Sequence, residues 1–400
     1  MAGVVVIGAG QAGAALVAKL RGEGYEGAIT LIGEEPVPPY QRPPLSKKYL
    51  LGEMALERLY LRPESYYAEA GIDLRLDTRV AAIDRAAREV VTGAGRLGYD
   101  HLVLATGAVP RRLPAALGGD LGGVHVVRTL SDVDAMAPGI VPGARLLIVG
   151  GGYIGLEAAA VAASRGMAVT LIEMAPRILG RVAAAETADY FRALHTRHGV
   201  DIREGVGLER LLGEGAVWAA RLSDGSEIVV DMAIVGIGIA PATALAEAAG
   251  LAVENGIAVD ELGRSSDPAI WAAGDCASFP HGGGRLRLES VPNAIDMAEC
   301  VAGNILGRNQ TYVPKPWFWS DQYDVKLQIA GLNAGHDRVV TRAAGGAYSV
   351  WYYAGAQLLA VDAMNDPRAY MVGKRLIEAG QSADPARVAD PAVDLKGLLG

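Results

Sequence analysis

Two short glycine patterns are the residues of this chain best suited to bind phosphate. They share the spacing Gly-x-Gly-x-x-Gly, and their glycines are Gly8, Gly10 and Gly13, then Gly150, Gly152 and Gly155. Each follows an apolar run (4–7 and 146–149) and precedes a stretch of small residues that is typical of a helix. Glycine lets backbone N–H groups approach a pyrophosphate at a helix N-terminus, where the helix dipole favours negative charge. The duplication predicts two dinucleotide sites.

An acidic residue follows each pattern at the end of a second apolar run. Glu34 comes after residues 29–32, and Glu173 comes after residues 169–172. Both acids lie roughly 20 residues past the last glycine, where a carboxylate can accept a hydrogen bond from a ribose hydroxyl. One glycine pattern alone is weak evidence in a chain with 52 glycines. Two complete units of strand, turn, helix, strand and acid are strong evidence for two Rossmann-like units.

The order of the strand and helix patterns along the sequence predicts an α/β fold. We expect two Rossmann-like nucleotide-binding domains and a C-terminal α+β domain. We expect residues 1–111 to form the first part of one nucleotide domain, residues 112–237 the other, and residues 238–311 the second part of the first. From residue 312 the sequence alternates apolar and polar residues, which predicts a small antiparallel sheet with a helix near 368–379 in a domain spanning 312–400. Asp275 ends a predicted strand, and open α/β sheets bind ligands at such ends.

Composition and charge narrow the function classes. The 400 residues are 51% hydrophobic and 20% charged, as expected for a globular α/β protein, and the net charge of −8 disfavours nucleic acid as a partner. The longest apolar stretch, 232–246, contains Pro241 and two glycines, so no membrane span is expected. We expect no targeting segment. Two cysteines without paired spacing, Cys276 and Cys300, indicate a reducing compartment and a cytoplasmic protein.

Several further segments resemble one enzyme family. They are the glycine patterns, 39–47 (PYQRPPLSK), 105–107 (ATG), Glu157 in 150–157 (GGGYIGLE), 273–275 (AGD) and 316–324 (PWFWSDQYD). Together they resemble the FAD-dependent, NADH-oxidising ferredoxin reductases that serve haem-thiolate monooxygenases and ring-hydroxylating dioxygenases. The two-domain core is shared with glutathione-reductase-like flavoproteins, whereas 43–47 and 317–322 are more specific.

The resemblance implies that FAD lies on the first unit and NADH on the second. The residues implied for FAD are Gly8, Gly10, Gly13, Glu34, Arg42, Lys47, Val80, Thr106, Gly107, Arg128, Asp275, Val291 and Trp319. Those implied for NADH are Gly150, Gly152, Ile154, Gly155, Glu173 and Gly238. Lys47 is implied to stand beside flavin N5, paired with Glu157, as the catalytic pair. A cation there would help because hydride transfer leaves negative charge on the reduced ring.

The acceptor of the electrons is also implied by the resemblance. The implied partner is a two-iron two-sulfur ferredoxin. We also expect the protein to be a monomer and to have no metal site of its own. Disulfide reductases of this fold need a cysteine pair near the first unit, and peroxidases need one reactive cysteine near Leu45 and Ser46, but neither is present. Rubredoxin reductase and NADH oxidase remain alternative enzymes. An apoptosis-inducing-factor-like flavoprotein that senses NADH is the alternative of another class.

Other residues receive less specific interpretations. His195 and His198 have helical spacing but no partners for a metal site, so we interpret them as surface histidines. Cys276 is interpreted as a small buried residue. Arg177 and Arg181 follow Glu173 and weaken the expectation that NADPH is rejected. The basic residues Arg308, Lys315, Arg338 and Arg342 are candidates for a ferredoxin docking face.

Overall fold

The computed structural model describes residues 3–399. The helices are α1 (Gln11–Gly22), α2 (Glu64–Glu69), α3 (Leu130–Met136), α4 (Tyr153–Ser164), α5 (Ala185–Arg197), α6 (Ala244–Ala248), α7 (Val291–Ile305), α8 (Pro367–Glu378) and α9 (Pro385–Ala389). The strands are β1 (Gly3–Ile7), β2 (Ile29–Ile32), β3 (Ile72–Arg75), β4 (Val80–Asp84), β5 (Glu89–Thr92), β6 (Gly95–Leu104), β7 (Ala108–Pro110), β8 (Val124–His125), β9 (Arg145–Val149), β10 (Ala168–Glu173), β11 (Asp201–Glu204), β12 (Leu208–Gly213), β13 (Val217–Leu222), β14 (Glu227–Val229), β15 (Met232–Val235), β16 (Ile239–Pro241), β17 (Ile257–Ala258), β18 (Ile270–Ala272), β19 (Ala277–His281), β20 (Gly284–Leu286), β21 (Trp317–Gln322), β22 (Val325–Gly331), β23 (Arg338–Ala344), β24 (Ala347–Ala354) and β25 (Gln357–Met364).

The chain divides into two compact units. The first unit contains the described residues up to Arg42, together with Met54–Val109 and Ile239–Pro316. The second contains Pro43–Glu53, Pro110–Gly238 and the described residues from Trp317 onward. The predicted α/β class is confirmed, because each unit contains a parallel sheet of the Rossmann type. The four domain segments given above stay a prediction.

The first unit is built on a sheet in the order β3, β2, β1, β6, with β18 also paired to β6 and all of these neighbours parallel. Val5 lies opposite Thr30 on one side and Leu102 on the other. β1 is buried along its whole length, which explains its unbroken run of apolar residues. An antiparallel extension, β5 and β4, continues from the N-terminal half of β6. The first glycine pattern follows β1 directly at its carboxyl end.

The second unit contains a parallel sheet in the order β11, β10, β9, β15, β8 and a small antiparallel sheet of β12, β13 and β14. β9 pairs with β10 and β15, so that Leu147 lies opposite Thr170 and Ala233. The second glycine pattern follows β9. The two patterns therefore occupy the same topological position in two separate sheets.

Residues from Trp317 onward form the predicted antiparallel sheet, in the order β21, β22, β25, β24, β23. α8 packs on it and buries Val372 and Leu376 with Trp351 and Val361 of the sheet. The side chain of Asp366 caps α8 by accepting a hydrogen bond from the Ala369 N–H. Within residues 3–399, no helix is both long enough and apolar enough to cross a lipid bilayer.

Candidate functional site

Two close backbone contacts shape the first glycine turn. Gly8 has a φ of +116°, and a Cβ at this position would lie 2.1 Å from the Ala105 carbonyl oxygen. A Cβ on Gly13 would lie 2.0 Å from the Gly8 carbonyl oxygen. The middle glycine differs, because nothing lies within 4 Å of a Cβ built on Gly10. The fold therefore requires glycine at Gly8 and Gly13, whereas Gly10 keeps space open in front of α1.

The second turn has the same design. Gly150 has a φ of +111°, and a Cβ there would lie 2.4 Å from the Gly236 carbonyl oxygen. A Cβ on Gly155 would lie 2.2 Å from the Gly150 carbonyl oxygen, and nothing lies within 4 Å of a Cβ on Gly152. The spacing of the three glycines thus produces the same pattern of two crowded positions and one open position in both units.

The open glycines stand at helix N-termini. Gly10 caps α1 and Gly152 caps α4, both with extended backbone and neither with a side chain that could accept a hydrogen bond. The N–H groups in the first turn of a helix have no acceptor within the helix. An anion in the open space would satisfy them and would lie at the positive end of the helix dipole. The pyrophosphate of a dinucleotide fits both turns.

The two acids behind the turns differ in environment. The Glu34 side chain is 74% exposed and lies 3.8 Å from the Arg79 guanidinium. In contrast, Glu173 is held by two backbone groups, with Oε2 accepting from the Gly151 N–H and Oε1 from the Ala175 N–H, both at 2.8 Å. Glu173 is therefore held in place beside the second turn by backbone groups, whereas Glu34 is an exposed surface carboxylate.

The arginines that follow Glu173 have separate environments. The Arg177 guanidinium donates to the Ala183 carbonyl oxygen at 2.8 Å. The Arg181 guanidinium lies near Gly238, since a Cβ built on that glycine would be 3.7 Å from Arg181 Nη2. Gly238 has a φ of +98°. Arg177 is thus occupied by the backbone, and Arg181 lies near a glycine that was predicted to contact NADH.

Lys47 and Glu157 form a buried ion pair in the second unit. The Lys47 Nζ lies 2.6 Å from Glu157 Oε2, and the two side chains are 17% and 6% exposed. Lys47 Nζ also donates to the Pro43 carbonyl oxygen at 3.3 Å. The pairing implied by the resemblance is therefore present, while its catalytic role stays a prediction. Such a pair is costly to desolvate, so it is weak evidence for a contribution to stability.

Two serines that the sequence analysis did not single out complete the surroundings of Glu157. Ser46 Oγ donates to Glu157 Oε2 at 2.8 Å, and Ser320 Oγ donates to Glu157 Oε1 at 2.7 Å. Ser46 is the last residue of the short 3₁₀ helix Pro43–Ser46 and directly precedes Lys47. Ser320 lies on β21. Both belong to the family-specific segments 43–47 and 317–322, which was the available signal.

Several residues implied for FAD meet around the first turn. A Cβ on Gly8 would lie 3.1 Å from the Thr106 backbone nitrogen, and Thr106 Oγ1 donates to the Ala242 carbonyl oxygen at 2.8 Å. Gly107 follows with a φ of +69°. Asp275 comes three residues after β18, and the preceding Gly274 approaches α1 closely. These residues lie at the carboxyl edge of the first sheet.

The remaining residues implied for FAD are more scattered. Val80 begins β4 beside Arg79, the ion-pair partner of Glu34. Arg42 pairs with Glu35 at 2.7 Å. Val291 is the first residue of α7, whose N-cap is Ser290. Within the second unit, Arg128 lies just before α3, and the Trp319 ring lies 5.5 Å from the Trp317 ring on β21. Ile154, implied for NADH, is 45% exposed in the first turn of α4.

Two interpretations of polar residues were wrong. His195 is fully buried in the second unit, where its Nε2 lies 2.8 Å from Gln322 Oε1, because α5 packs this face inward. Arg342 is only 6% exposed and cannot form part of a docking face. Its guanidinium donates to the carbonyl oxygens of four residues near the C-terminus, which are Val388, Asp390, Pro391 and Val393. The alternation along β23 turns this arginine inward.

The cysteines have no reactive environment. Burial raises the pKa of the Cys276 thiol, whose Sγ donates to the Leu104 carbonyl oxygen at 3.3 Å, and burial also raises the pKa of Cys300. Thiols with raised pKa values are poor nucleophiles. Within the described part of the chain, no group of three or more His, Cys, Asp or Glu side chains is arranged to hold a metal ion.

Comparisons with known proteins cover nearly the whole chain. Residues 2–298 match the pyridine nucleotide-disulphide oxidoreductase family, and residues 317–399 match the reductase C-terminal family. Rhodocoxin reductase of Rhodococcus erythropolis is 41% identical over 399 residues, which are 98% of this chain and 93% of the relative. A ferredoxin–NAD(P)+ reductase of a Sphingomonas species is 44% identical over an alignment of 404 residues, which covers 99% of this chain and 97% of the relative.

A solved structure gives the same result. A chain from the crystal structure of the covalent putidaredoxin reductase–putidaredoxin complex matches with a TM-score of 0.96 at 40% identity, covering 100% of this chain and 98% of that one. Enzymes of the matched family use FAD and NAD(P)H, and these are two dinucleotides, as the two glycine turns predict. The chain therefore belongs to the pyridine nucleotide-disulphide oxidoreductase family, as a flavin-dependent reductase with the C-terminal domain of its ferredoxin reductase members.

Proposed function

We propose that this protein is a ferredoxin–NAD+ reductase. It takes hydride from NADH onto FAD and passes electrons singly to a two-iron two-sulfur ferredoxin, which feeds a haem-thiolate monooxygenase or a ring-hydroxylating dioxygenase. The observation that carries the proposal is the presence of two turns with an open middle glycine, Gly10 and Gly152, at separate helix N-termini. Two such turns bind two dinucleotides, and FAD with NAD(P)H is the pair that the family uses.

The cysteines support an external electron acceptor. Reductases that act on disulfides pass electrons through a reactive thiol, whereas both cysteines of this chain are buried thiols with raised pKa values. Bound FAD supplies the ability to accept a hydride and to release its electrons one at a time. An iron–sulfur protein that accepts single electrons is the acceptor that matches this chemistry.

Lys47 supplies the proposed electrostatic contribution of the protein. Its ammonium group is oriented by Glu157 Oε2 at 2.6 Å and by the Pro43 carbonyl oxygen at 3.3 Å, and little water reaches it. A fixed cation in a partly desolvated environment stabilises negative charge more strongly than a mobile cation in water. We propose that Lys47 stabilises the charge that develops during hydride transfer and that Glu157 holds it in position.

The ferredoxin docking face is proposed with fewer residues than the sequence analysis suggested. Arg342 is excluded by its burial, and Arg308 is ion-paired with Glu23. Lys315 of the first unit and Arg338 of the second unit remain as candidate contacts, each considered by itself. We also propose that the protein acts as a cytoplasmic monomer, which is in keeping with two buried cysteines without a disulfide. Light scattering of the purified protein would measure its mass in solution.

The test is the rate of flavin reduction by NADH in a stopped-flow instrument, followed by ferredoxin-dependent reduction of cytochrome c. Lys47→Ala is expected to retain FAD and to slow hydride transfer by about 10- to 1000-fold, as for other electrostatic contacts that act in a transition state. Lys48→Ala is the matched control, since Lys48 is the neighbouring lysine and is exposed. An unchanged rate in Lys47→Ala would contradict the role of Lys47.

The second measurement separates the reductase from a flavoprotein that senses NADH. Rapid cytochrome c reduction that depends on added ferredoxin supports the reductase. A long-lived complex of NADH with the flavin, with negligible turnover, would instead support the sensor and overturn the proposed function.

A further inference from the structure

A chain of buried hydrogen bonds extends from Glu157 to helix α5. Ser320 Oγ donates to Glu157 Oε1 at 2.7 Å, and Gln322 Nε2 donates to Ser320 Oγ at 3.2 Å. Gln322 Oε1 lies 2.8 Å from His195 Nε2, and the Tyr323 hydroxyl lies 3.3 Å from His195 Nδ1. Ser320, Gln322 and His195 are each fully buried. All of these residues belong to the second unit.

The Lys47 end of this chain fixes the direction of every hydrogen bond in it. A carboxylate paired with an ammonium group is ionised and can only accept, so Ser320 must donate to Glu157. The hydroxyl oxygen of Ser320 then accepts from the amide nitrogen of Gln322, which turns the amide oxygen toward His195. His195 must therefore carry its proton on Nε2 and accept from the Tyr323 hydroxyl through Nδ1.

The protonation state of His195 agrees with this direction. Burial lowers the pKa of His195 to about 4, so the ring is neutral at physiological pH and adopts one tautomer. The titratable groups that face it are Tyr323, whose pKa is raised by burial, and His198, whose ring stacks on Tyr323 at 3.7 Å. The chain of hydrogen bonds requires a neutral ring with one N–H group that donates and one nitrogen lone pair that accepts.

We propose that Ser320, Gln322 and His195 are positioning residues that hold the Glu157 carboxylate, and through it the Lys47 ammonium group, in one orientation. Every donor in the chain points toward Glu157, so the chain stabilises the carboxylate as an anion with one oxygen directed to Lys47. The role of these residues in catalysis rests on the proposed function of Lys47. The direction of the hydrogen bonds is independent of that function.

The direction is tested by nitrogen NMR of the FAD-bound protein labelled with ¹⁵N in its six histidines. We expect one histidine in the Nε2–H tautomer that does not titrate between about pH 5.5 and 8 and whose signals are absent in His195→Gln. An Nδ1–H tautomer for this histidine, or titration within that range, would overturn the proposal.

Connection along the chain is tested in the same spectrum. Ser320→Ala should shift the His195 ring signals, because Gln322 loses its acceptor, and Ser320→Thr should restore them by keeping the hydroxyl. Ser349→Ala is the matched control, since Ser349 is a fully buried serine of the same sheet that bonds instead to Trp351 and Asp366. Equal shifts in Ser320→Ala and Ser349→Ala would show general repacking and would refute the chain.

The positioning role is tested by stopped-flow reduction with NADH. Ser320→Ala should slow reduction by about 3- to 10-fold, the effect of one hydrogen bond, with the NADH dissociation constant unchanged. In a Lys47→Ala background it should have no further effect, because it acts through Lys47. Additive effects, or an unchanged rate in Ser320→Ala while Lys47→Ala is slow, would overturn the positioning role alone. Failure of the proposed role of Lys47 would appear differently, as an unchanged rate in Lys47→Ala, and failure of the proposed reductase function would appear as negligible ferredoxin-dependent turnover of the wild type.

Discussion

The two glycine turns have matching backbones but lead into helices of different character. In both turns, a Cβ built on either outer glycine would lie 2.0–2.4 Å from a carbonyl oxygen. A Cβ built on the middle glycine would meet open space. Two residues past the third glycine, the first helix has Ala15 and the second has Glu157. Ala15 packs against an apolar core, whereas Glu157 accepts hydrogen bonds from Ser46, Ser320 and Lys47.

The comparison shows which parts of this motif are constrained. Each turn must keep its two outer glycines because backbone atoms meet there, and any pyrophosphate can use the same N–H groups. The helix positions after the turn face protein, so their chemistry can change without disturbing the anion site. The second copy has acquired a buried carboxylate and its hydrogen-bonded partners at such a position.

The largest expected effect separates the two turns by function. Gly10→Val and Gly152→Val should both fold, because the side chain enters open space and the backbone is extended. Gly10→Val should be purified without flavin. Gly152→Val should retain flavin but bind NADH at least about 100-fold more weakly, since two charge-assisted hydrogen bonds to the pyrophosphate cost roughly 3 kcal/mol or more.

Absorbance of the purified variants and titration with NADH measure these losses. Gly22→Ala, at the end of α1, is a control because a Cβ there also meets open space. Retention of flavin by Gly10→Val would mean that the first turn does not bind the pyrophosphate, and the equivalence of the two turns would fail.

The second prediction concerns Asp362, a buried acid of the second unit. Burial raises its pKa from 3.8 to about 6, despite hydrogen bonds from Tyr352 and Thr187. Between pH 3.8 and about 6, the folded state therefore holds a proton that the unfolded state has lost. The resulting stabilisation is complete below pH 3.8 and is lost as the pH rises through about 6, which amounts to about 3 kcal/mol.

His195 has the opposite dependence. Its pKa falls from 6.5 to about 4 in the folded state, so its contribution is complete above pH 6.5 and is lost as the pH falls toward 4, again by about 3 kcal/mol. The two contributions offset each other in the wild type. In Asp362→Asn, the free energy of unfolding should therefore decrease on acidification from about pH 6.5 to 4, and in His195→Gln it should increase.

Urea unfolding monitored by tryptophan fluorescence at several pH values tests both variants. Parallel pH profiles for the wild type and the two variants would show that neither group titrates differently on folding. The burial of Asp362 and His195 would then not contribute to the pH dependence of stability.

The third prediction uses the acids that follow the turns. Glu173 is fixed by two backbone N–H groups, so it would face the 2′-phosphate of NADPH at close range. Like charges about 4 Å apart cost roughly 1 to 4 kcal/mol, and NADH should be preferred by about 10- to 1000-fold. Glu173→Ala should reduce the preference to within about 10-fold.

Values of kcat/KM for both cofactors measure the preference, and Glu34→Ala serves as the matched control because it changes the other acid. Equal use of NADH and NADPH by the wild type would indicate that Arg181 neutralises Glu173, since Arg177 is occupied by the Ala183 carbonyl.

The smallest expected effect is on Glu34. Its side chain is 74% exposed and its ion pair with Arg79 is long, so a hydrogen bond that it accepts from a ribose hydroxyl would compete with water. Glu34→Ala should weaken flavin binding by less than about 10-fold, as measured by flavin fluorescence on dilution. Purification of this variant without flavin would contradict this expectation. It would show that Glu34 is required for flavin binding.

The sequence by itself determined the local features of this protein. The spacing of Gly8, Gly10 and Gly13, and of the second set, required strand, turn and helix because only glycine tolerates the positive φ and the close carbonyl oxygens. Apolar runs such as 4–7 and 146–149 required buried strands. The absence of a cysteine pair excluded a disulfide relay. Such features depend on neighbours in the chain, so a pattern can reveal them.

Tertiary structure alone decided which polar side chains meet. Ser46 and Ser320 are 111 and 163 residues from Glu157, and nothing in their local sequence indicates a shared carboxylate. The family segments predicted Lys47 with Glu157, but not the serines or the burial of His195. Arg342 was misjudged for the same reason, because an arginine is usually exposed and only the packing of the C-terminal residues supplies four carbonyl acceptors. Burial and long-range hydrogen bonds depend on how distant elements pack, and local periodicity contains no information about that packing.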